Sequence, residues 1–183
     1  TNTFGANTEG LDCDWETVRK TIECGWNIAN NAVSGTEAAV FADIGPIPHT
    51  ENVDNTPQYK RIADCFLELG AKNFLFETFS SPDSLSAVTE YIKSRSSSSI
   101  IVCSFAVSAD GFTREDVSIS KIQKAMDKNS NVDIFGLNCM CGPIHMVKLI
   151  GEIAKSDKPL IAMPNAGYPT LVGNRVFFEN NAD

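Results

Sequence analysis

The chain has 183 residues, of which 43 % are hydrophobic, and a formal net charge of −8. This composition excludes collagen-like, low-complexity and disordered chains, and the length supports a hydrophobic core for one domain, or two at most. The excess of carboxylates disfavours binding to nucleic acid or to an anionic membrane surface. No apolar run approaches the roughly 20 residues that a membrane helix requires.

The first residues have neither the basic start nor the apolar stretch of a signal peptide, and the chain lacks an initiator methionine. We therefore expect a processed chain or a piece of a longer protein. Six cysteines are spread through a pattern typical of a cytoplasmic α/β protein, where thiols are more often buried, metal-bound or nucleophilic than paired in disulfides.

Short apolar runs alternate with helical patterns along the chain. Because the runs are continuously apolar, they predict strands that are covered on both faces, as in a parallel sheet. The predicted strands are 39–42, 73–76, 99–103, 132–137 and 159–163, and we count residues 1–4 as the end of a sixth. The predicted helices are 15–31, 58–69, 83–94, 118–128 and 144–155, with Asp14 as the N-cap of the first and Gly70 just beyond the second.

A polar residue follows each of the five apolar runs. These residues are Asp43, Glu77, Ser104, Asn138 and Asn165, so successive spacings are 34, 27, 34 and 27 residues. A (β/α)₈ barrel averages roughly 31 residues per unit, and its chemistry lies at the carboxyl ends of the strands. An open doubly wound sheet also places its chemistry at those ends, so both folds predict that these residues share one rim.

The densest group of candidate residues is at 136–143, where Cys139 and Cys141 follow a predicted strand. A thiolate there suits zinc, or acts as a nucleophile if its pKa is lowered by the following helix N-terminus. From the Cys-x-Cys pattern alone, two thiols packed in a turn are the better interpretation, because free cysteine behaves as a small buried hydrophobe. A catalytic zinc site also needs about three protein ligands.

Two carboxylates are candidates for substrate recognition. Glu77 directly follows an apolar run, where a carboxylate is costly to bury without a partner. This position predicts recognition of an ammonium group or general-base chemistry better than it predicts a helix cap. The same interpretation of Asp43 is weaker, because aspartate before Gly-Pro is also a common turn residue.

Other candidates carry a weaker signal. In the loop 164–169, Asn165 and Tyr168 either point into a site or belong to a structural turn. His49 and His145 are isolated histidines. A cysteine hydrolase using Cys139 and His145 stays an alternative, although no nucleophile elbow supports it. No phosphate-binding loop or dinucleotide fingerprint is present.

Five short motifs carry a family resemblance. They are Thr-Asn-Thr-Phe at 1–4, Asp-Ile-Gly-Pro at 43–46, Phe-Glu-Thr-Phe at 76–79, Gly-Leu-Asn-Cys at 136–139 with Gly-Pro at 142–143, and Pro-Asn-Ala-Gly at 164–167. In this order and spacing they resemble the homocysteine S-methyltransferase domain, the zinc-dependent (β/α)₈ barrel of methionine synthase and betaine–homocysteine methyltransferase. The details are most similar to the bacterial methionine synthase branch.

The resemblance implies a function and a set of site residues. It implies zinc-dependent methyl transfer to the thiol of homocysteine, which gives methionine. Cys139 corresponds to one of three zinc-binding cysteines, Glu77 to the glutamate that holds the substrate amine, and Asn165 to an asparagine near the metal. Asn138 and Asp43 are further expected substrate-binding residues. The implied methyl donor is methylcobalamin on a partner domain, betaine or S-methylmethionine, with cobalamin- or folate-binding domains as possible neighbours in the parent chain.

The departures from the family pattern are also informative. The Asp-Gly-Ala motif of the first strand and the paired cysteines after the eighth strand are absent, and Cys141 does not match that pair. We therefore expect residues 1–183 to be a partial TIM barrel, about strands two to seven, truncated at both ends. Such a piece is expected to bind zinc poorly and to be inactive alone. The alternative is a non-catalytic βα module with buried thiols.

Overall fold

The computed structural model describes residues 1–48, 53–166, 169–173 and 175–178. Within these ranges, five strands form a parallel sheet in the order β1-β2-β3-β4-β5, which confirms the predicted α/β class. The strands are β1 (Ala42–Ile44), β2 (Asn73–Phe79), β3 (Ile100–Phe105), β4 (Ile134–Asn138) and β5 (Leu160–Met163). A separate antiparallel hairpin contains β6 (Pro169–Val172) and β7 (Arg175–Phe178), and the sequence analysis did not predict it.

Helices alternate with the strands of the sheet. They are α1 (Thr8–Leu11), α2 (Trp15–Ala32), α3 (Thr56–Glu68), α4 (Leu85–Arg95), α5 (Ile119–Lys128) and α6 (Pro143–Ile153). The predicted N-cap is confirmed, since Asp14 Oδ1 accepts a hydrogen bond of 2.9 Å from the Thr17 N–H. Gly70 has a φ of 86° just after α3, the left-handed conformation that favours glycine at a helix end. Among the described residues, no helix is both long enough and apolar enough to span a membrane.

The chain divides into two compact units. The first contains Thr1–Glu77, Asp83–Cys103 and Asn131–Asp133, and the second contains Thr78–Pro82, Ser104–Ser130 and Ile134–Asp183. In the first unit, Trp26 of α2 meets Phe66 of α3 edge-to-face at 6.0 Å between ring centroids. In the second, the fully buried side chains include Phe135 of β4 and Met126 of α5.

Residues 1–4 do not form the sixth strand that the sequence analysis counted. They lie beside β1, where the N-terminal ammonium donates to the Phe41 carbonyl at 3.0 Å and the Gly45 N–H donates to the Phe4 carbonyl at 3.2 Å, but the bonds to β1 itself are made by hydroxyl groups. Thr3 Oγ1 donates to the Asp43 carbonyl at 2.7 Å, and the Asp43 N–H donates to Thr1 Oγ1 at 3.0 Å. Because hydroxyl groups take positions that ladder carbonyls and N–H groups would otherwise fill, no regular ladder forms there.

The first predicted strand is also displaced along the chain. The run 39–42 predicts a strand that ends before Asp43, whereas β1 begins at Ala42 and includes Asp43. The register pairs Ala42 with Phe74 and Asp43 with Leu75, so only the last residue of the apolar run enters the ladder. Asp43 is therefore part of the sheet. Its backbone pairs with β2 on one side and bonds Thr1 and Thr3 on the other.

Gly136 allows β4 and β5 to approach closely within the second unit. It pairs with Ile161, and a Cβ at position 136 would collide with the Ile161 carbonyl oxygen. Any larger residue would therefore force the two strands apart. This close approach lies two residues before Asn138, the last residue of β4, which Cys139 follows.

Candidate functional site

The first unit contains a buried pair of carboxyl groups, Asp43 of β1 and Glu77 of β2. Asp43 is only 6 % exposed, and its Oδ1 atom is buried without a hydrogen-bond partner among the described residues. Glu77 is half-buried. A buried carboxylate oxygen without a hydrogen-bond partner is costly, so Asp43 Oδ1 is a candidate acceptor for a donor group of a ligand.

The two carboxyls influence each other's protonation. Burial, followed by the negative charge of Asp43 and its contact with the Glu77 side chain, raises the pKa of Glu77 to about 7. Burial also raises the pKa of Asp43, although its contacts with Glu77 and with the backbone of Thr3 and Phe4 oppose that rise. Two carboxyls in this arrangement can share a proton or bind a cation between them.

The second unit is organised by the side chain of Asn138, which is 2 % exposed. Its Oδ1 accepts from the Thr78 N–H at 2.9 Å and from Ser104 Oγ at 2.9 Å. Its Nδ2 donates to Thr78 Oγ1 at 2.6 Å and to Cys139 Sγ at 3.3 Å. One amide group therefore joins Thr78 of β2, Ser104 of β3 and Cys139, which directly follows β4.

Several of these residues have strained backbones. Thr78, Cys139 and Met140 have φ values of 65°, 58° and 59°, in the left-handed region that favours glycine. A β-branched residue such as threonine is rare there, and each such residue costs on the order of 1–3 kcal/mol. Strain of this kind persists only where surrounding contacts impose it, and it is concentrated at functional sites.

The turn after β4 is bonded to the turn after β5. The Cys139 N–H donates to the Met163 carbonyl at 3.0 Å, and the Cys141 N–H donates to the Cys139 carbonyl at 2.7 Å. The Asn165 N–H in turn donates to the Cys141 carbonyl at 3.1 Å, and the Asn165 side chain is exposed. The second unit therefore brings the backbone of Asn165 close to the turn that contains Cys139.

The two thiols of this turn differ in their surroundings. Cys139 is half-buried, whereas Cys141 is 2 % exposed and burial raises the pKa of its thiol. Burial disfavours the thiolate form, which is the form that binds a metal. Cys139 is thus the better ligand candidate of the pair.

The described residues do not complete a zinc site. Among them, no group of three or more histidine, cysteine, aspartate or glutamate side chains is arranged to hold a metal ion. Cys139 fits one ligand position, and about three protein ligands are needed for a catalytic zinc. The ligand set present in the described part of the chain therefore does not fit zinc by itself.

Not every candidate from the sequence can be located. His49 and Tyr168 lie outside the described residues, and His145 is exposed at the beginning of α6. Thr78 is not among the candidates predicted from the sequence, although it directly follows Glu77 and bonds both ends of the Asn138 amide. The position of Thr78 directly after Glu77, which follows the predicted strand 73–76, is a signal that could have identified Thr78.

Comparisons with known proteins identify relatives. A family model described as homocysteine S-methyltransferase matches residues 1–182. No curated protein sequence matches the chain. The solved structures that resemble it include the metallated form of the homocysteine methyltransferase MmuM from Escherichia coli, at 15 % identity and a TM-score of 0.62, with 90 % of this chain and 64 % of that chain covered. The oxidized form gives a TM-score of 0.66 with the same identity and coverage.

A second kind of enzyme has a similar fold. Type I 3-dehydroquinate dehydratase from Clostridium difficile gives a TM-score of 0.53 at 12 % identity, and the match covers 81 % of this chain and 59 % of that chain. At such identities the structural matches show the fold alone, a partial TIM barrel. The chain spans less than two thirds of the length of these solved structures. Because the family model matches nearly every residue, the chain belongs to the homocysteine S-methyltransferase family.

Proposed function

We propose that the protein carrying this chain transfers a methyl group to the thiol of homocysteine and so forms methionine. Family membership supports the reaction type, and one structural observation supports the substrate class. That observation is the buried carboxyl pair of Asp43 and Glu77, in which Asp43 Oδ1 has no hydrogen-bond partner among the described residues.

An ammonium group matches this pair of carboxyl groups in hydrogen bonding and in charge. It supplies hydrogen-bond donors to the unpaired oxygen, and its positive charge compensates for the burial and for the repulsion from Asp43, which together raise the pKa of Glu77. A charge-assisted contact between ammonium and carboxylate contributes about 1.5–3 kcal/mol. We therefore assign the amino group of homocysteine to Glu77 and Asp43.

The thiol chemistry is assigned to the second unit. In the overall reaction the homocysteine sulfur forms a bond to the methyl carbon, the donor's bond to that carbon breaks, and the thiol proton passes to water. We propose that Cys139 supplies one thiolate ligand to a zinc ion, with the remaining ligands outside the described residues. This part of the proposal depends on the family resemblance and on the half-buried position of Cys139.

Further parts of the proposal follow the motifs. Asn165 is exposed beside the turn that contains Cys139, which suits a role next to the substrate or the metal. The motif details are most similar to the bacterial methionine synthase branch, and methylcobalamin is one of three donors that the reaction admits. Betaine and S-methylmethionine are the other donors that the reaction admits. The cytoplasmic location expected from the cysteines is part of the same proposal.

A methyl-transfer assay tests the function. The protein that carries this chain is incubated with homocysteine and each of the three isotopically labelled donors in turn, and labelled methionine is measured. We expect one donor to give methionine, and we expect Glu77→Gln to reduce the rate at low homocysteine concentration. Glu90→Gln, the same change at an exposed position of α4, is the matched control. Absence of labelled methionine with all three donors would contradict the proposal.

A further inference from the structure

We propose that Asn138 is a positioning residue that imposes the left-handed backbone conformation at Thr78, within β2, and at Cys139, just after β4, and thereby fixes the direction of the Cys139 thiol. The structural part of this inference depends on the hydrogen bonds of the second unit. Its consequence for catalysis rests on the proposed function.

The bonds between Asn138 and Thr78 form a closed ring. The Thr78 N–H donates to Asn138 Oδ1 at 2.9 Å, and Asn138 Nδ2 donates to Thr78 Oγ1 at 2.6 Å. The first bond constrains the backbone of Thr78, and the second constrains its side chain. Together they explain how a β-branched residue is held at a φ of 65°, where threonine is rare.

The orientation of the amide is determined by its partners. A backbone N–H can only donate, so the atom that it meets must be the amide oxygen and not the nitrogen. Ser104 Oγ adds a second donor to the same oxygen at 2.9 Å. The Asn138 nitrogen is therefore directed toward Thr78 Oγ1 and Cys139 Sγ, and it cannot exchange places with the oxygen without losing these bonds.

Cys139 is constrained from two sides. Its Sγ accepts from Asn138 Nδ2 at 3.3 Å, and its N–H donates to the Met163 carbonyl at 3.0 Å. Its own φ of 58° directs the chain sharply away from β4. A side-chain bond and a backbone bond thus hold a turn that a cysteine would not adopt alone.

All of the hydrogen-bonding capacity of Asn138 is used within the protein. A primary amide has two acceptor lone pairs and two donor hydrogens, and the four bonds above occupy them. The side chain is also 2 % exposed. A residue with no free group and almost no accessible surface is suited to hold its neighbours, and not to contact homocysteine directly.

Nuclear magnetic resonance of the protein that carries this chain tests the structural part. Backbone carbon shifts that report φ are measured at Thr78 and Cys139 in the wild type and in Asn138→Ala, together with hydrogen exchange of the Thr78 amide. We expect both residues to leave the left-handed region in Asn138→Ala and the Thr78 amide to exchange at least about tenfold faster. Asn73→Ala is the matched control, since the Asn73 amide bonds the Val40 carbonyl at the first residue of β2.

A second pair of variants keeps the test decisive if Asn138→Ala does not fold. Thr78→Val retains the N–H donor and the branched shape but removes Oγ1, whereas Thr78→Ser retains both bonding groups. We expect Thr78→Ser to preserve the Cys139 shifts and Thr78→Val to alter them. Left-handed shifts that survive in Asn138→Ala, or identical Cys139 shifts in the two Thr78 variants, would overturn the inference.

Kinetics separates positioning from substrate binding. Since a misplacement of about 1 Å can reduce a rate about 10²-fold, we expect Asn138→Ala to lower kcat by roughly that factor while KM for homocysteine changes less than about threefold. Glu77→Gln should instead raise KM. A raised KM with unchanged kcat in Asn138→Ala would overturn the catalytic part. If the wild type transfers no methyl group, the proposed function fails while the resonance measurements still decide the structural part.

Discussion

The carboxyl pair of the first unit and the amide of the second unit satisfy their polar groups in opposite ways. Asp43 leaves a buried oxygen without a partner among the described residues, and burial together with Asp43 raises the pKa of its neighbour Glu77 to about 7. Asn138 is buried just as deeply, but each of its hydrogen-bonding positions meets a protein atom.

This difference indicates two different tasks. A buried polar group that lacks a partner is available to a ligand, and binding repays part of its desolvation cost. A buried polar group with every bond made instead orders the chain around it. The sequence analysis assigned both Glu77 and Asn138 to substrate binding, and the hydrogen bonds of Asn138 favour a positioning role for that residue.

The largest expected effect distinguishes the two thiols of the second unit. In the protein that carries this chain, Cys139→Ala should weaken zinc binding at least about 100-fold, because one of the thiolate ligands is lost. Cys141→Ala should retain the metal, because the Cys141 side chain is buried and burial, which raises the pKa of its thiol, disfavours the thiolate that a metal binds. Zinc content measured by mass spectrometry checks both variants. Wild-type zinc content in Cys139→Ala would refute the ligand assignment.

The next effect concerns the protonation of the first unit. The pKa of Glu77 is raised from 4.5 to about 7, so between these values the folded state holds a proton that the unfolded state has lost. Stability should therefore fall as the pH rises from about 4.5 to about 7. After allowance for partial screening by solvent, the loss is on the order of 1–2 kcal/mol.

Urea denaturation at several pH values measures this slope. Glu77→Gln should flatten it, because the substituted amide does not titrate, and should be more stable than the wild type near pH 8. Glu90→Gln should leave the slope unchanged, because that residue is exposed on α4. An unaltered slope in Glu77→Gln would show that Glu77 is not the group that titrates.

The smallest effect compares two buried serines. Ser104→Ala removes one donor to Asn138 Oδ1, while the Thr78 N–H still bonds that oxygen. We expect a loss of about 0.5–1.5 kcal/mol in the free energy of unfolding. Ser99→Ala is the matched control, because Ser99 Oγ is buried without a partner among the described residues, and its removal should be neutral or stabilising. Equal losses in both variants, measured by thermal or urea denaturation, would contradict the account of the cluster.

The order of the five sheet strands and of α2 to α6 could be predicted from the sequence, because apolar runs and helical periodicity reflect burial directly, whereas α1 and the β6–β7 hairpin were not predicted. The strands β2 to β5 lie where the runs predict them, and Asp14 caps α2 as expected. Residues 1–4 were wrongly counted as a strand because Thr1 and Thr3 contact β1 through hydroxyl groups, which a residue pattern does not distinguish from a ladder.

The hydrogen bonds of the candidate site could not be predicted. Thr78 and Asn138 are 60 residues apart, and their bonds depend on a positive φ at Thr78. Because a β-branched residue is rare in that conformation, local propensity points away from the observed backbone at Thr78. The position of Asn138 and Cys139 at a strand end was evident from the spacing of the polar residues. The hydrogen-bond partners of the Asn138 amide were not.

Calorimetric binding of homocysteine and of its analogue without the amino group tests the central claim most directly. In the protein that carries this chain, we expect Glu77→Gln to weaken homocysteine binding roughly 10- to 150-fold, as expected for the loss of a contact of about 1.5–3 kcal/mol. Binding of the analogue should be nearly unchanged, since it has no ammonium group for the Asp43–Glu77 pair to contact. An equal loss for both ligands, or no loss for homocysteine, would contradict the assignment of this pair to the substrate amine.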